Sequence, residues 1–330
     1  TDGTINSQVS VNNTLGFSIV GWTSSSTDSD TIGSGLDERI EFLITKKYSG
    51  SRDWIVWHKD LPNNGYLSLN GTLGESTPNG NRATVTNDTT FIAQSISGDL
   101  MIAYCFASKP GFSKVGSYTG NGSASGPIVQ TGFEPAFLMI KRTDSTSNWM
   151  IYDNKRNPSN PIDLELYANL NNAEGSPYTA YNFYSNGFQV ISNNAAHNAS
   201  GGSYIYLAIA ADGSTATPSL ANSFATEIYT GNGGTQSITG TGFKPDLSWV
   251  KNRNTAGNNH NLADSIRGVN NVIQSNLTAA QYFNSTYQFN SFDTDGITVT
   301  DDAAGNWGFN GNNETYVSWN WKAGGTPSIN

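Results

Sequence analysis

Three alternating aromatic runs decide how this chain folds. They are Met101-Ile102-Ala103-Tyr104-Cys105-Phe106, Tyr204-Ile205-Tyr206-Leu207-Ala208-Ile209 and Tyr316-Val317-Ser318-Trp319-Asn320-Trp321. In each run, large apolar side chains alternate with smaller or more polar ones, which is the period of a β-strand. We expect the larger set to face a core and the smaller set to face a second sheet or solvent. Trp319 and Trp321 are therefore predicted to be buried, with Tyr104 and Phe106 as their counterparts.

Each run closes a longer pattern that occurs three times along the chain. The three copies open at Phe17, Phe112 and Phe224. The openings lie about 100 residues apart, which is the length of one β-sandwich module. A second strand in each copy ends on a lysine, namely Lys46, Lys141 and Lys251. The sequence thus predicts an all-β chain of three tandem antiparallel β-sandwich modules, at residues 1–108, 109–215 and 216–330.

Turn and linker signals separate the strands. Ser185-Asn186-Gly187 and Thr294-Asp295-Gly296 are typical of tight hairpins. The segment Leu277-Thr278-Ala279-Ala280-Gln281 is predicted to form one helical turn. Linkers rich in Gly and Pro are expected at 108–111 and 212–218.

The two ends of the chain are short, polar and rich in Gly and Thr, like the internal linkers. We expect each end to be ordered through a neighbouring module, either in a longer polypeptide or in an adjacent copy. Modules strung along one axis would place the termini at opposite ends of an extended rod.

Composition excludes several classes of protein. Hydrophobic residues make up 36% of the 330 residues and charged residues 13%, with 12% aromatics, so a disordered tail is excluded. The net charge of −9 supplies no basic stripe for nucleic acid, but it is compatible with neutral glycans. The single cysteine, Cys105, cannot form an intrachain disulfide and is expected to act as a small apolar group. No apolar run reaches the ~18 residues of a membrane-spanning helix.

A family resemblance extends over nearly the whole chain. Its motifs include Gly132-Phe133-Glu134-Pro135, Gly242-Phe243-Lys244-Pro245 and Trp319-Asn320-Trp321-Lys322-Ala323-Gly324-Gly325. These motifs resemble a repeat family of tail-fibre and other virion structural proteins of tailed bacteriophages, especially marine ones. The first copy departs from the pattern, because Gly35-Leu36-Asp37-Glu38 replaces the Gly-Phe-Glu-Pro turn. The resemblance implies lectin-like, concanavalin-type β-sandwiches and assigns no catalytic residues.

Candidate metal and acid–base residues are few. His58, His197 and His260 lie far apart in the sequence, and one cysteine cannot complete a zinc set. They are interpreted as polar residues, with His58 and His260 near the same strand of different copies, and their replacement by Ala is expected to leave function intact. No cofactor and no transition metal is predicted.

Several carboxylates can be explained without a calcium site or a catalytic site. Asp293-Thr294-Asp295-Gly296 has the start of a calcium loop, but the downstream Glu is missing, so a turn is predicted. Asp28-Ser29-Asp30 and Asp301-Asp302 are predicted to be exposed among small polar residues. A glycosidase needs one acid in an apolar pocket, and the sequence gives no sign of one.

The lysines and aromatic residues also have structural interpretations. Lys46, Lys141 and Lys251 are expected at an interface or sheet end, since a lone lysine lacks a paired base. Exposed aromatic rings stack on sugars, but those within alternating strands are expected in the core. The abundant large aromatics include Trp22, Trp57, Trp149, Tyr152, Trp249, Trp307, Trp319 and Trp321.

The repeated modules and the resemblance together imply a non-enzymatic structural protein of a phage fibre at the particle surface, with adhesion to a host surface or glycan as an added role. Its expected partners are other virion proteins, neighbouring copies of itself and cell-surface polysaccharide, without nucleic acid or membrane insertion. A capsid-decorating fibre is one alternative. A polysaccharide-cleaving enzyme of the tailspike type is the other, and it would need two carboxylates about 5–10 Å apart in a groove.

Overall fold

The computed structural model describes residues 2–25, 30–62, 65–77, 82–210, 223–283, 286, 288–302 and 304–330. The chain is all-β and its strands pair antiparallel, as the alternating runs predict. Within the described ranges the helical segment α1 covers only Ala195–Asn198. The predicted helical turn at Leu277–Gln281 is wrong, because backbone groups of this segment bind the first copy: Arg52 N donates to Thr278 O at 2.8 Å.

The strands are numbered in chain order, and the three predicted modules are called the first, second and third copies. The first copy contains β1 (Ser7–Asn12), β2 (Phe17–Thr23), β3 (Ile32–Gly33), β4 (Phe42–Lys47), β5 (Ile55–His58), β6 (Leu67–Ser68), β7 (Ala83–Val85), β8 (Thr90–Ala93) and β9 (Leu100–Phe106). The second contains β10 (Ser113–Thr119), β11 (Ile128–Gln130), β12 (Phe137–Arg142), β13 (Trp149–Asp153), β14 (Leu166–Tyr167), β15 (Tyr181–Tyr184), β16 (Gly187–Val190) and β17 (Ser203–Ile209). The third contains β18 (Phe224–Thr230), β19 (Thr235–Thr239), β20 (Leu247–Asn252), β21 (Asn261–Asp264), β22 (Asn271–Gln274), β23 (Tyr282–Phe283), β24 (Phe289–Asp293), β25 (Gly296–Thr300), β26 (Thr315–Trp321) and β27 (Ser328–Ile329).

Each copy contributes one large sheet and one three-stranded sheet. The large sheets share one strand order, with the closing strand between the opening strand and the lysine-bearing strand: β2-β9-β4-β5-β6, β10-β17-β12-β13-β14 and β18-β26-β20-β21-β22. The small sheets are β3-β8-β7, β11-β16-β15 and β19-β25-β24. The boundary predicted at 215/216 lies outside the described residues, and the division into three independent modules stays a prediction.

The strand register corrects one detail of the repeat. Phe17 and Phe224 each pair with the last residue of their closing strand, but in the second copy that place is taken by Ser113, which pairs with Ile209. Phe112 lies one residue earlier, at a corner where Lys109 and Ser113 pair with each other. Its ring is still buried in the core, so the hydrophobic pattern is kept while the register shifts by one residue.

Both faces of the large sheets contribute to a core. On one face, the large apolar side chains of all three copies form a single shared core. The closing strands contribute Ile102, Tyr104, Phe106, Ile205, Leu207, Ile209, Val317, Trp319 and Trp321. Rings from different copies touch in this shared core: Phe137 lies 5.6 Å from Phe224 and 5.9 Å from Trp319 between ring centroids. The predicted burial of Trp319, Trp321, Tyr104 and Phe106 is confirmed.

The opposite faces of the large sheets pack on the small sheets. In the first copy, Ala103 and Cys105 are buried there, and burial raises the pKa of the Cys105 thiol to about 12. The two predicted hairpins are confirmed, since Tyr184 pairs with Gly187 and Asp293 pairs with Gly296. Each copy therefore has its own layer of core in addition to the shared one.

The predicted rod with separated ends is wrong. β27 pairs with β1, and Asn330 N donates to Ser7 O at 2.9 Å. The tail reaches this place along β1, where Ser10 Oγ donates to Gly325 O at 3.1 Å and Gly324 lies too close to the Val11 backbone to admit a Cβ. The polar ends are ordered by a neighbouring copy, as expected, but that neighbour lies in the same chain.

Candidate functional site

The repeated lysines lie at the junctions between copies. Lys46, Lys141 and Lys251 are fully buried and pair with equivalent positions of the three closing strands. Lys46 Nζ donates to Thr278 O of the third copy at 2.8 Å, and Lys141 Nζ donates to Thr72 O of the first copy at 3.2 Å. Burial lowers the pKa of each amine to about 8. Lys46 and Lys141 therefore hold copies together, whereas Lys251 Nζ donates to Asn252 O of its own copy at 2.6 Å. Because all three amines are buried, none is open to a substrate.

Two indole rings also form hydrogen bonds between copies: Trp149, which starts β13, and Trp54, which precedes β5. Trp149 Nε1 donates to Ser68 O of the first copy at 3.0 Å, and Trp54 Nε1 donates to Gln274 O of the third copy at 2.9 Å. At the equivalent place in the third copy, His260 instead accepts from Trp249 Nε1 at 2.9 Å. Equivalent contacts thus run from copy two to one and from copy one to three. Ser275 Oγ of the third copy donates to Ala168 O of the second at 2.6 Å, so the copies close into a ring.

The three histidines do not come together. His58 ends β5, and burial lowers its pKa to about 4. His260 immediately precedes β21, and burial lowers its pKa well below the usual range. His197 lies in α1 of the second copy. Among the described residues, no group of three His, Cys, Asp or Glu side chains is arranged to hold a metal ion.

The predicted carboxylates act locally. Asp293 accepts from Ser291 and Thr298 hydroxyls at 2.6 and 2.7 Å beside its hairpin. The prediction that Asp301 is exposed is wrong: it is 1% exposed and accepts from the Phe309 amide at 2.8 Å. Its carboxylate is buried because it binds the backbone amides of the loop that covers it. Asp30 accepts from Ser25 Oγ at 2.6 Å, while Asp28 and Ser29 lie outside the described residues.

The aromatic residues singled out in the sequence form core. All eight are buried except Trp307, which is half-buried. The described residues that do expose large rings are Tyr178, Tyr184 and Phe283. A glycan platform on the aromatic strands is therefore not formed by the tryptophans.

One cleft in the second copy combines ionisable, amide and aromatic side chains. It has a volume of about 250 Å³, and we name it the Glu165 cleft. The side chains around it include Arg142, Ser147, Asn148, Glu165, Tyr178 and Asn194. Within the described part of the chain, Glu165 is the one carboxylate that lines it.

Glu165 belongs to a buried cluster behind the cleft. It is 2% exposed, and Tyr152 donates its hydroxyl to Glu165 Oε2. His197 Nε2 lies 3.2 Å from the same oxygen and 2.8 Å from the Tyr152 hydroxyl. Burial alone would raise the pKa of Glu165, but the hydrogen bonds from His197 and Tyr152 outweigh it and lower that pKa. Glu165 is therefore a fixed, ionised acceptor.

The cleft wall is rigid on the side of Arg142. The guanidinium donates to both oxygens of Asp144, at 2.7 and 3.2 Å, and to Ala195 O at 3.1 Å. The Asp144 hydrogen bonds raise the pKa of Arg142, so the pair stays ionised. On the other side, the Tyr178 ring is 43% exposed and packs edge-on against His197 at 5.7 Å. The cleft is thus preformed by its own contacts.

Sequence reasoning did not find this cleft. Glu165 looks like one polar residue at the edge of a short strand, and Tyr178 and Asn194 lie in loops. The available signal was Asn194, an N-cap residue that starts α1 by accepting from Ala196 N at 2.8 Å.

A family model matches residues 1–212 and 219–330, almost the entire chain. The chain belongs to the DUF7483 family. The family is described as a domain of unknown function. No curated protein matches the chain. In the described ranges there is no helix of the length and apolarity needed to cross a bilayer.

Proposed function

We propose that this chain is a non-enzymatic structural protein at the surface of a phage particle, which adheres to glycans of the host surface. The observation that carries the structural part is the shared core. Three copies bury their closing strands against one another, and the last strand returns to the first. A closed body of this kind resists unfolding outside a cell without a disulfide, because much apolar surface is buried in one core.

The arrangement of ionisable groups supports a non-enzymatic role. The buried lysines bind backbone carbonyls at the junctions, and Glu165 is the one described carboxylate of its cleft. A glycosidase acts through two carboxylates that flank the bond to be cleaved. The neighbouring groove is lined by two carboxylates, Glu75 and Asp144, but Asp144 is held in an ion pair with Arg142 at 2.7 Å. That pairing favours adhesion over the tailspike-type alternative, which would act in this groove, while the repeat motifs favour a virion component.

Two experiments test this proposal. Immunogold labelling of intact particles, with antibody raised against the purified chain, is expected to mark the tail or the head surface. Labelling of the head alone would favour the capsid-decorating alternative, and particles free of label would overturn a virion role. Incubation of the purified chain with polysaccharides is expected to release no new reducing ends, and their release would overturn the non-enzymatic assignment.

A further inference from the structure

We propose that the Glu165 cleft binds one neutral sugar residue of the glycan. This inference rests on the proposed adhesion and assigns it a place. Ser147 starts the argument: the residue lines the cleft and is 9% exposed, and its buried Oγ has no hydrogen-bond partner within the described structure. An unpartnered buried hydroxyl is costly, so a bound ligand that pairs with it gains free energy.

The size and polarity of the cleft suit a single hydroxylated ring. Its volume of about 250 Å³ lies just below the range of pockets for drug-sized ligands, ~300–1,000 Å³. Glu165 accepts hydrogen bonds, while Arg142 and the Asn148 amide donate, since Asn148 Oδ1 is occupied by Asn169 Nδ2 at 2.9 Å. Sugar hydroxyls both donate and accept, and the exposed ring of Tyr178 offers an apolar face beside them.

The charges in the cleft select against acidic sugars. Arg142 is neutralised by Asp144, and Glu165 is at most neutralised by His197. The local charge is therefore zero or negative in either protonation state of the histidine. The net charge of the chain is −9, which adds a repulsive field for anions. A uronic or sialic acid would meet repulsion, whereas a neutral residue would not.

The other copies fill the same place with their own side chains. Ser147 lies two residues before Trp149, and in the first copy that position is Arg52, which donates to Gln94 O at 3.1 Å. Met150 lines the cleft, and its third-copy equivalent is Asn261. The Tyr282 hydroxyl lies 3.0 Å from Asn261 Oδ1, and Asn261 Nδ2 donates to Trp307 O at 3.2 Å. A small residue at 147 therefore leaves space where the first copy has an arginine, and at the place of Met150 the third copy has the hydrogen-bonded Asn261.

A wider groove gives the rest of a glycan room to continue. It has a volume of about 520 Å³, shares Thr146 with the Glu165 cleft and runs along the junction of the first two copies. Leu73, which is 69% exposed, and Glu75 lie on its first-copy side, and Asp144 lies on its second-copy side. The junction is fixed there, because Glu75 N donates to Thr143 O at 2.7 Å and Ser147 N donates to Thr72 O at 2.8 Å.

The test uses the full chain on a printed array of neutral glycans and of the same backbones ending in uronic or sialic acid. Tyr178→Ala removes the exposed ring, and Ser147→Arg fills the cleft as Arg52 does in the first copy. Tyr184→Ala is the matched control, since Tyr184 is 44% exposed on β15 and does not line the cleft. Circular dichroism confirms that each variant is folded.

We expect the unaltered chain to bind neutral glycans and to bind the acidic set at least about tenfold more weakly. Tyr178→Ala and Ser147→Arg should each weaken neutral binding by about tenfold or more, which corresponds to the loss of one good contact, and Tyr184→Ala should not. Glycan binding that both cleft variants retain would overturn the cleft but leave adhesion standing. A preference for acidic glycans would also overturn it. Binding to no glycan would remove both the cleft and the adhesion, while the particle labelling still tests the structural role.

Discussion

Two of the junctions between copies hold a buried ion pair at one position. At the same position the third junction has two leucines and a histidine whose pKa burial lowers to about 4, so it carries no charge there, and we call it the apolar junction. Asp264 pairs with Arg267 at 2.7 Å and accepts from the Tyr104 hydroxyl of the first copy at 2.8 Å. Likewise Asp153 pairs with Arg156 at 2.6 Å and accepts from Trp319 Nε1 of the third copy at 3.0 Å. At the remaining junction the equivalent residues are His58, Leu61 and Leu207.

The comparison shows that these three positions hold either an Asp, an Arg and a hydrogen-bonding aromatic residue, or a His and two leucines. No junction mixes the two sets. His58 Nδ1 accepts from Asp60 N at 3.1 Å, as Asp264 Oδ1 accepts from Ile266 N at 3.1 Å. Where the carboxylate is absent, the arginine and the hydrogen-bonding aromatic are absent as well. A buried charge without its partner is strongly destabilising, so a mixed set would lower stability.

The largest effect is expected from breaking one ion pair. Arg267→Leu leaves the Asp264 carboxylate fully buried without its guanidinium, which should lower the free energy of unfolding by about 3–5 kcal/mol. The triple variant Tyr104→Leu, Asp264→His and Arg267→Leu copies the apolar junction and should recover most of that loss. Denaturant unfolding of both variants makes the comparison. A triple variant no more stable than Arg267→Leu alone would contradict the idea of interchangeable sets.

A smaller loss is expected at the aromatic donor. Trp319→Leu copies Leu207 without changing the ion pair it faces, so it removes the hydrogen bond to Asp153 and leaves a gap beside Phe137. The expected cost is about 2–3 kcal/mol. The matched change at the apolar junction, Leu207→Met, conserves volume and should cost below about 1.5 kcal/mol. Thermal unfolding that ranked these two variants in the opposite order would show that the indole donor adds no stability.

The lysines at the three junctions predict an unusual pH dependence. Their folded pKa of about 8 lies below the ordinary 10.5, so between these values the unfolded chain binds more protons than the folded one. The free energy of unfolding should therefore rise with pH from about 8 toward 10. Unfolding at pH 7.5 and 9.5 measures the rise, and Lys46→Met, Lys141→Met and Lys251→Met should each reduce it. A stability that falls over this interval in the unaltered chain and is unchanged by these substitutions would refute the assignment.

The smallest effect is expected where the tail closes the ring of copies. Deleting residues 327–330 removes β27, a strand of two exposed residues, and should cost less than about 1 kcal/mol. The radius of gyration should stay near the compact value of about 20 Å for 330 residues, with or without the deletion. Small-angle scattering measures both chains. A markedly larger radius in either chain would mean that the copies separate.

The local part of this structure was predictable from the sequence, because strands and hairpins follow from a period of two residues and from Asn-Gly and Asp-Gly turns. The same period identifies Tyr104 and Trp319 as buried, but it does not say which sheet covers them. Three tandem modules were predicted, and each does have a core layer of its own, but these residues pack against the other copies. The missing information is a contact between segments more than 100 residues apart.

The Glu165 cleft could not be predicted for a related reason. It depends on a small residue, Ser147, at a position where the first copy has Arg52, and on two loops that bring Tyr178 and Asn194 beside it. Neither feature changes the alternating pattern of the strands. A difference in side-chain size at one repeated position becomes informative only when the copies are superposed in space.

The pairing of Asn330 with Ser7 has a practical consequence. Since the two ends lie side by side on one sheet, a short linker could join them and the chain could be opened elsewhere. A circular permutant that begins at Lys109, where one closing strand has ended and the next copy is about to start, would keep every sheet intact. Such a permutant would change the order of the copies along the chain but not the contacts between them. Its new termini would lie on a different side of the molecule, where a fused cargo could be displayed.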